Sequence, residues 1–173
     1  MSIAEPIKIG PWGGNGGTFF DVTNPPPTRL DNITIRAAGL IDSIGFSYVD
    51  EAGNKRTAGP FGGTGGQLTT IQFAPNEWVT KLSGTIVEAS ASEGKPTMAS
   101  LEFETNIRKY GPYGTVNQDY SFSIPLPKGL IIAGFFGRAG RFIDAIGVYI
   151  GYKAAVERLD AITIAADEET LGN

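Results

Sequence analysis

The sequence contains no cysteine and no histidine among its 173 residues, and it has only two tryptophans and two methionines. Without cysteine the chain forms no disulfide and offers no thiolate as a nucleophile or metal ligand. Without histidine it also lacks the side chain that most often exchanges protons near neutral pH. These absences argue against an enzyme, and the sequence implies neither a metal nor another cofactor.

Long apolar runs and blocks of positive charge are also missing. No segment has about 18 consecutive apolar residues, and the N-terminal residues lack the basic start and apolar stretch of a secretory signal peptide. The net charge is -4, and the 14 basic residues are scattered along the chain. We therefore expect no binding to nucleic acid or to a membrane, and we expect a cytoplasmic or nucleocytoplasmic protein.

Glycine, in contrast, is abundant, and its positions repeat. The chain has 24 glycines, about twice the usual share of ~7%. Residues 10–17 read GPWGGNGG, residues 59–66 read GPFGGTGG, and a decayed copy, GPYGTVNQ, begins at Gly111. A second echo joins RAGRFID at 138–144 with RAAGLID at 36–42. Two interleaved repeats predict one structural unit that is used about three times.

The segments between the glycines have the pattern of short strands. Apolar and β-branched residues alternate in runs that are bounded by Gly, Pro, Asn or Asp, which is typical of half-buried strands. Together with the threefold repeat, this pattern predicts an all-β sandwich, barrel or prism. The aromatic residues at equivalent repeat positions, Trp12, Phe61 and Tyr113, are expected to pack structurally rather than contact a ligand.

The segment after residue 152 differs in character. Residues 153–173 are rich in alanine and acidic residues and lack aromatic residues. The sequence leaves three alternatives open for it: a short helix at AAVERLD, an added strand at AITIAAD, or a linker. Its role is unknown.

The glycine motifs, and above all the run GFFGRAGRFIDAIGVY at 134–149, resemble the mannose-specific branch of the jacalin-related plant lectins. The resemblance covers about residues 7–152 and divides the chain into a lectin domain at 1–152 and a C-terminal extension at 153–173. It implies a β-prism I fold of three four-stranded Greek-key sheets with pseudo-threefold symmetry. It also implies a non-catalytic protein that binds mannose- or glucose-type glycans where the first strand pairs beside the last.

The chemistry of a neutral hexose suggests which residues bind it. Sugar hydroxyls both donate and accept, so a binder needs a carboxylate to accept from two of them and backbone amides to donate in return. Asp144 offers the carboxylate, and the glycine-rich turn that begins at Gly140 can direct the amides of Arg141 and Phe142 into the same cavity. The resemblance adds Gly17 as a further donor and Gly16 as a residue that shapes the loop. The simpler alternative is that the glycines form only a turn and that Asp144 is hydrogen-bonded locally.

The internal echo predicts a possible second carbohydrate site, because Asp42 aligns with Asp144 and residues 62–66 align with residues 13–17. Its members are Ala38, Gly39, Leu40, Asp42, Gly65 and Gly66. Ala38 departs from the pattern, since it stands where Gly140 stands in the first copy. If that position needs a positive φ, alanine costs about 1 kcal/mol or more there. The third copy lacks the second glycine pair, and its opposing loop at 88–96 lacks the GxxxD pattern, so we expect it to be silent.

Two further expectations concern activity and partners. Hydrolysis of a glycoside needs two carboxylates across the scissile bond, and the first-copy loops at 10–17 and 137–144 supply only Asp144. A single hexose site is weak, so a useful lectin needs several sites, and we expect a homo-oligomer, either a dimer or a tetramer. The alternative function is a β-prism interaction scaffold that binds no sugar.

Overall fold

The computed structural model describes residues 6–22 and 24–172. Residues 1–5 and Asn173 lie outside the described residues. The expectation that the chain has no secretory signal peptide rests partly on residues 1–5, so it lies outside the described part of the chain as well. Within the described ranges the elements in chain order are β1 (Lys8–Gly13), β2 (Thr18–Phe20), β3 (Pro27–Ala37), β4 (Ile41–Asp50), β5 (Lys55–Gly62), β6 (Gln67–Gln72), β7 (Val79–Glu88), β8 (Pro96–Thr105), β9 (Lys109–Gly114), β10 (Ser121–Pro125), β11 (Leu130–Ala139), β12 (Ile143–Tyr152) and α1 (Lys153–Leu171).

The strands form three four-stranded antiparallel sheets with the orders β1-β12-β11-β2, β5-β4-β3-β6 and β10-β7-β8-β9. In each sheet a long hairpin occupies the centre and two shorter strands flank it, which is a Greek-key order. The first of these sheets takes its central hairpin from the C-terminal part of the chain and its outer strands from the N-terminal part. The predicted all-β fold with three equivalent sheets is confirmed.

The core lies where the three sheets face one another. The central strands β4, β8 and β11 are buried along most of their length, and side chains at alternate positions of a strand point to the same face. Phe135 contacts Phe46 and Phe103 from the other two sheets, with ring centroids 5.3 and 5.8 Å apart and the rings steeply inclined. Edge-to-face contacts of this kind add to the hydrophobic stabilisation.

The aromatic residues of the glycine repeats also pack inside the fold. Trp12 stacks on Phe122 at 5.7 Å, and Phe61 stacks on Phe20 at 4.3 Å. Tyr113 tilts against the core residue Phe103 at 6.4 Å. Each of these residues therefore has the structural packing role that its repeat position predicts.

The segment after β12 forms one continuous helix, α1, so the strand and linker alternatives are wrong and the short-helix alternative is too short. Alanine, glutamate, leucine and arginine favour a helix, and each sheet already has its four strands. The first turns of α1 pack against the sheets: Val156 is buried with Trp78 and Ile131, and Asp160 pairs with Arg29 at 3.0 Å. Among the described residues no helix is long and apolar enough to cross a membrane.

Candidate functional site

Two loops meet at one apex of the prism because the strands that carry them are paired. Gly13 lies opposite Ala145 in the pairing of β1 with β12, and Thr18 lies opposite Ala139 in the pairing of β2 with β11. The amide of Gly14 donates to the backbone carbonyl of Asp144 at 2.8 Å. We call residues 13–17 and 139–144 together the first apex.

The glycines of the first apex are required because the carboxylate of Asp144 lies against them. A Cβ atom on Gly16 would lie 2.8 Å from Asp144 Oδ1, and one on Gly17 would lie 2.6 Å from Asp144 Oδ2. Gly17 also has φ of +66°, a conformation that other residues rarely adopt. Gly140 closes the opposite side, where its Cβ would lie 3.4 Å from the Cα of Gly17. The predicted residues Gly16, Gly17, Gly140 and Asp144 are therefore brought together.

Asp144 is buried, and its carboxylate is free of hydrogen bonds within the described ranges. Its exposed fraction is 8%, and its carboxylate accepts no hydrogen bond from the residues that the structure describes. Among those residues, every polar side-chain atom that is fully shielded from solvent has a hydrogen-bond partner. Because the carboxylate oxygens of Asp144 have no such partner, they must retain some access to solvent. Burial raises the pKa of the Asp144 carboxyl above its usual value, against the opposing effect of Arg138 and Lys95.

Two other buried carboxylates show what a purely structural acid looks like in this protein. Asp50 accepts from the amide of Asn54 and from Arg56, both at 2.9 Å. Glu77 accepts from the hydroxyls of Thr105 and Tyr110, both at 2.8 Å. Burial alone would raise the pKa of both carboxyls, but the hydrogen bonds outweigh it and lower the pKa. The locally hydrogen-bonded alternative therefore describes these two acids and not Asp144.

Arg138 borders the first apex, and the sequence reasoning did not assign it a role. Its guanidinium donates from Nε to the carbonyl of Gly16 at 3.0 Å and from Nη2 to the carbonyl of Gly17 at 2.9 Å. By binding both carbonyls, Arg138 fixes the orientation of the glycine peptide planes beside Asp144. The available signal was the arginine that begins both copies of the echo, RAGRFID and RAAGLID.

The remaining two predicted residues of the first apex lie in the β11–β12 turn. Arg141 is exposed and Phe142 is half-buried. The amide of Gly140 donates to the carbonyl of Phe142 at 3.0 Å, which closes the turn. The arginine side chain lies beside the phenylalanine ring, with Cζ 5.3 Å from the ring centroid.

A second apex, residues 37–42 and 62–66, repeats this arrangement. The amide of Gly63 donates to the carbonyl of Asp42 at 2.8 Å. A Cβ atom on Gly65 would lie 2.6 Å from Asp42 Oδ1, and one on Gly66 would lie 2.6 Å from Asp42 Oδ2. Arg36 takes the place of Arg138 and donates to the carbonyl of Gly66 at 3.2 Å.

The Asp42 carboxylate has the same electrostatic character as that of Asp144. Its exposed fraction is 7%, and it too accepts no hydrogen bond from the described part of the chain. Burial raises the pKa of the Asp42 carboxyl, and the charges of Arg141 and Arg36 oppose the rise.

Ala38 does not distort the second apex. The expected energetic cost of alanine at the position equivalent to Gly140 therefore does not apply. Its amide donates to the carbonyl of Leu40 at 3.1 Å, as Gly140 donates to Phe142. Neither Gly140 nor Ala38 is among the described residues with a positive φ, so this turn needs no left-handed residue. Leu40 is buried, whereas a Cβ atom on Gly39 would have no neighbour within 4 Å.

The third apex lacks the acid. The amide of Thr115 donates to the carbonyl of Ala99 at 2.9 Å, so Ala99 occupies the place of Asp144 and Asp42. Thr85 occupies the place of the arginine, since it lies opposite Ser100 across the β7–β8 pair. The Thr85 and Ser100 hydroxyls lie 2.6 Å apart, so they satisfy each other.

The three Greek-key sheets define a β-prism. Its candidate binding loops are the two apices in which glycines line a carboxylate. The chain belongs to the jacalin-like lectin domain family, whose model matches residues 9–149. It is 40% identical over 149 residues to horcolin from Hordeum vulgare, an alignment that covers 86% of this chain and 99% of horcolin. It is 36% identical over 155 residues to a mannose/glucose-specific lectin from Parkia platycephala, covering 87% of this chain and 33% of that lectin.

Solved structures agree with this assignment. A mannose-binding jacalin-related lectin from Ananas comosus has a TM-score of 0.79 and 39% identity, over 85% of this chain and 98% of that one. A mannose-specific jacalin-related lectin from Morus nigra, in complex with mannose, has a TM-score of 0.75 and 28% identity, over 87% of this chain and 97% of that one. The family model ends before α1 begins.

Proposed function

We propose that the protein is a non-catalytic lectin that binds mannose- or glucose-type glycans at the first apex. The observation that carries the proposal is the Asp144 carboxylate, which is mostly buried against Gly16 and Gly17 and accepts no hydrogen bond from the described residues. A carboxylate in this state gains from any ligand that supplies hydroxyl donors. Membership of the jacalin-like lectin family, and relatives named for mannose, support the sugar as that ligand.

The roles of the individual residues follow from hexose chemistry. Asp144 accepts from two adjacent hydroxyls, and the amides of Arg141, Phe142 and Gly17 donate to ring substituents. Gly16 and Gly140 keep side chains out of the space that the sugar needs. Arg138 is a positioning residue, because it binds the glycine carbonyls and touches no ligand itself.

We propose a second carbohydrate site at the second apex, where Asp42 takes the role of Asp144. Gly65 and Gly66 line the carboxylate. In the facing turn the amide of Ala38 donates to the carbonyl of Leu40, and the amides of Gly39 and Leu40 serve as the donors to the sugar. Two sites on each chain would raise avidity toward a multivalent glycan surface by ~10² to 10⁴.

Absence of catalysis is part of the proposal. Glycoside hydrolysis needs an acid and a second carboxylate on opposite sides of the bond. In the described structure the loops of the first apex carry only Asp144, and those of the second carry only Asp42. An assay with aryl mannosides and aryl glucosides tests this point, and turnover abolished by Asp144→Ala would contradict it.

Assembly and location are two further parts of the proposal. We propose a homo-oligomer, a dimer or a tetramer, because single hexose sites bind weakly, and a cytoplasmic or nucleocytoplasmic location. Sedimentation velocity tests the first, and a fluorescent fusion of the full chain tests the second.

Isothermal titration with methyl α-mannoside tests the central proposal. The unaltered protein should bind, Asp144→Ala and Asp42→Ala should each lose one site, and the double variant should bind nothing. Asp167→Ala is a matched control, because Asp167 is an exposed acid on α1. Absence of binding by the unaltered protein, with mannosides, glucosides and galactosides alike, would favour the interaction scaffold instead.

A further inference from the structure

The loops of the first and second apices touch each other through their main chains. A Cβ atom on Gly63, in the second apex, would lie only 2.3 Å from the carbonyl oxygen of Arg141, in the first. The turn that closes the first apex therefore also forms a wall of the second. Arg141 stands at the boundary between them.

The Arg141 guanidinium is free to act at that boundary. It is exposed and stacks near the Phe142 ring, but it forms no hydrogen bond or ion pair with any residue that the structure describes. Burial raises the pKa of Asp42, and of the two arginines that oppose this rise Arg141 has the larger effect. The charges that act on Asp144 in the same way belong to Arg138 and Lys95.

We propose that Arg141 serves both apices: its amide faces the first site, and its guanidinium belongs to the second site. There it donates hydrogen bonds to the sugar residue that extends from the hexose held by Asp42. This inference depends on the proposed function and assigns the second site a specificity residue from a neighbouring repeat. The planar guanidinium, with five donors, can bind two adjacent hydroxyls at once.

The equivalent position beside the first site is different. A Cβ atom on Gly14 would lie 2.5 Å from the carbonyl oxygen of Pro96, so Pro96 forms the corresponding wall there. The nearby cation is Lys95, whose Nζ lies 3.7 Å from Oε2 of Glu93. A lysine is a single flexible point charge, so the two sites should discriminate differently between a monosaccharide and a disaccharide.

Single-site backgrounds test the inference. Asp144→Ala leaves the second site, and Asp42→Ala leaves the first. In each background Arg141→Gln is titrated with a methyl α-mannobioside and with methyl α-mannoside. We expect Arg141→Gln to weaken disaccharide binding at the second site about five- to tenfold. The loss of disaccharide affinity at the first site should be smaller. The loss of monosaccharide affinity at the second site should also be smaller. Arg141→Lys should restore part of the affinity.

The outcomes separate this inference from the proposed function. Equal losses at both sites, or no loss at the second site, would overturn the role of Arg141 while leaving the lectin proposal intact. Absence of sugar binding by the unaltered protein would overturn both. Lys95→Gln is the matched control, since removing this cation should weaken the first site more than the second. Circular dichroism of each variant verifies that the fold is retained.

Discussion

At the scale of single residues, the protein buries most of two carboxylates, Asp42 and Asp144, and gives neither of them a hydrogen bond from the described residues. Desolvation of a charge costs free energy that hydrogen bonds normally recover. At Asp50 and Glu77 the fold provides those bonds, whereas at the two apices a bound ligand would provide them. The contrast was hidden in the sequence, because all four residues are acids near strand ends.

The raised pKa values of Asp144 and Asp42 predict a pH dependence of sugar binding. Only the ionised carboxylate accepts from two hydroxyls, and burial favours the protonated form. Affinity should therefore be constant near neutral pH and fall on acidification, at a pH above the usual pKa of aspartic acid. Titrations with methyl α-mannoside from neutral to acidic pH measure this effect. Affinity that persisted down to the pH at which an ordinary aspartate titrates would contradict it.

Asp144 and Asp50 should respond in opposite ways to the same substitution. The folded-state pKa of Asp144 is raised, so its ionised form opposes folding once the pH has risen through that pKa, and Asp144→Asn should leave stability unchanged or raise it slightly at neutral pH. The folded-state pKa of Asp50 is lowered, so its ionised form favours folding above its unfolded pKa. Asp50→Asn should therefore cost about 1–3 kcal/mol.

Urea unfolding at neutral pH and sugar titration measure both variants side by side. Asp144→Asn should lose the first sugar site and keep its stability, whereas Asp50→Asn should lose stability and keep both sites. A destabilised Asp144→Asn would mean that this acid supports the fold.

At the scale of elements, α1 and the first apex lie at opposite ends of the β11–β12 hairpin. The turn of the first apex joins β11 to β12, whereas α1 follows the far end of β12, where its Lys153 amide donates to the Gly129 carbonyl at 2.9 Å. Val156, in the second turn of α1, covers Trp78 and Ile131. The helix therefore acts on the stability of the prism and not on the candidate sites.

Val156→Ala should destabilise the protein by about 1–2 kcal/mol, because it removes buried methyl groups beside Trp78. Sugar affinity should not change. Ile162→Ala is the matched control, since Ile162 lies on the same helix with 59% of its surface exposed, and it should change stability by less than about 0.5 kcal/mol. Urea unfolding followed by tryptophan fluorescence measures both. Equal effects of the two substitutions would mean that the packing of α1 does not stabilise the prism.

At the scale of the whole molecule, the repeats predicted most of the fold. Alternating residues predicted strands, and the echo between 36–42 and 138–144 predicted that the sheets are equivalent, because the same local pattern folds in the same way. The sequence did not predict the length of α1, since residues such as Ile162 and Ile164 favour strands as readily as helices. It also did not reveal that Ala99 replaces the acid at the third apex, because that equivalence depends on strand register.

Valency is a property of the whole molecule, and it should follow the number of acidic apices. The unaltered chain should bind two monosaccharides, and either Asp42→Ala or Asp144→Ala should bind one. Binding to a densely mannosylated surface should fall about 10-fold or more in each single variant, although the remaining site is unaltered. Surface plasmon resonance on immobilised mannan measures the loss. A loss of only half would mean that the sites act independently.

The pairing of β1 with β12 has a consequence for the order in which the molecule matures. During synthesis both loops of the second apex leave the ribosome early, because they lie on one continuous stretch, residues 27–72, whereas the wall that Arg141 adds to it follows near the end. The first apex must wait, since its two halves lie more than a hundred residues apart and the later half is translated near the end. A nascent chain would thus contain both loops of the second apex well before those of the first, and the late residue Arg141 would complete the two together.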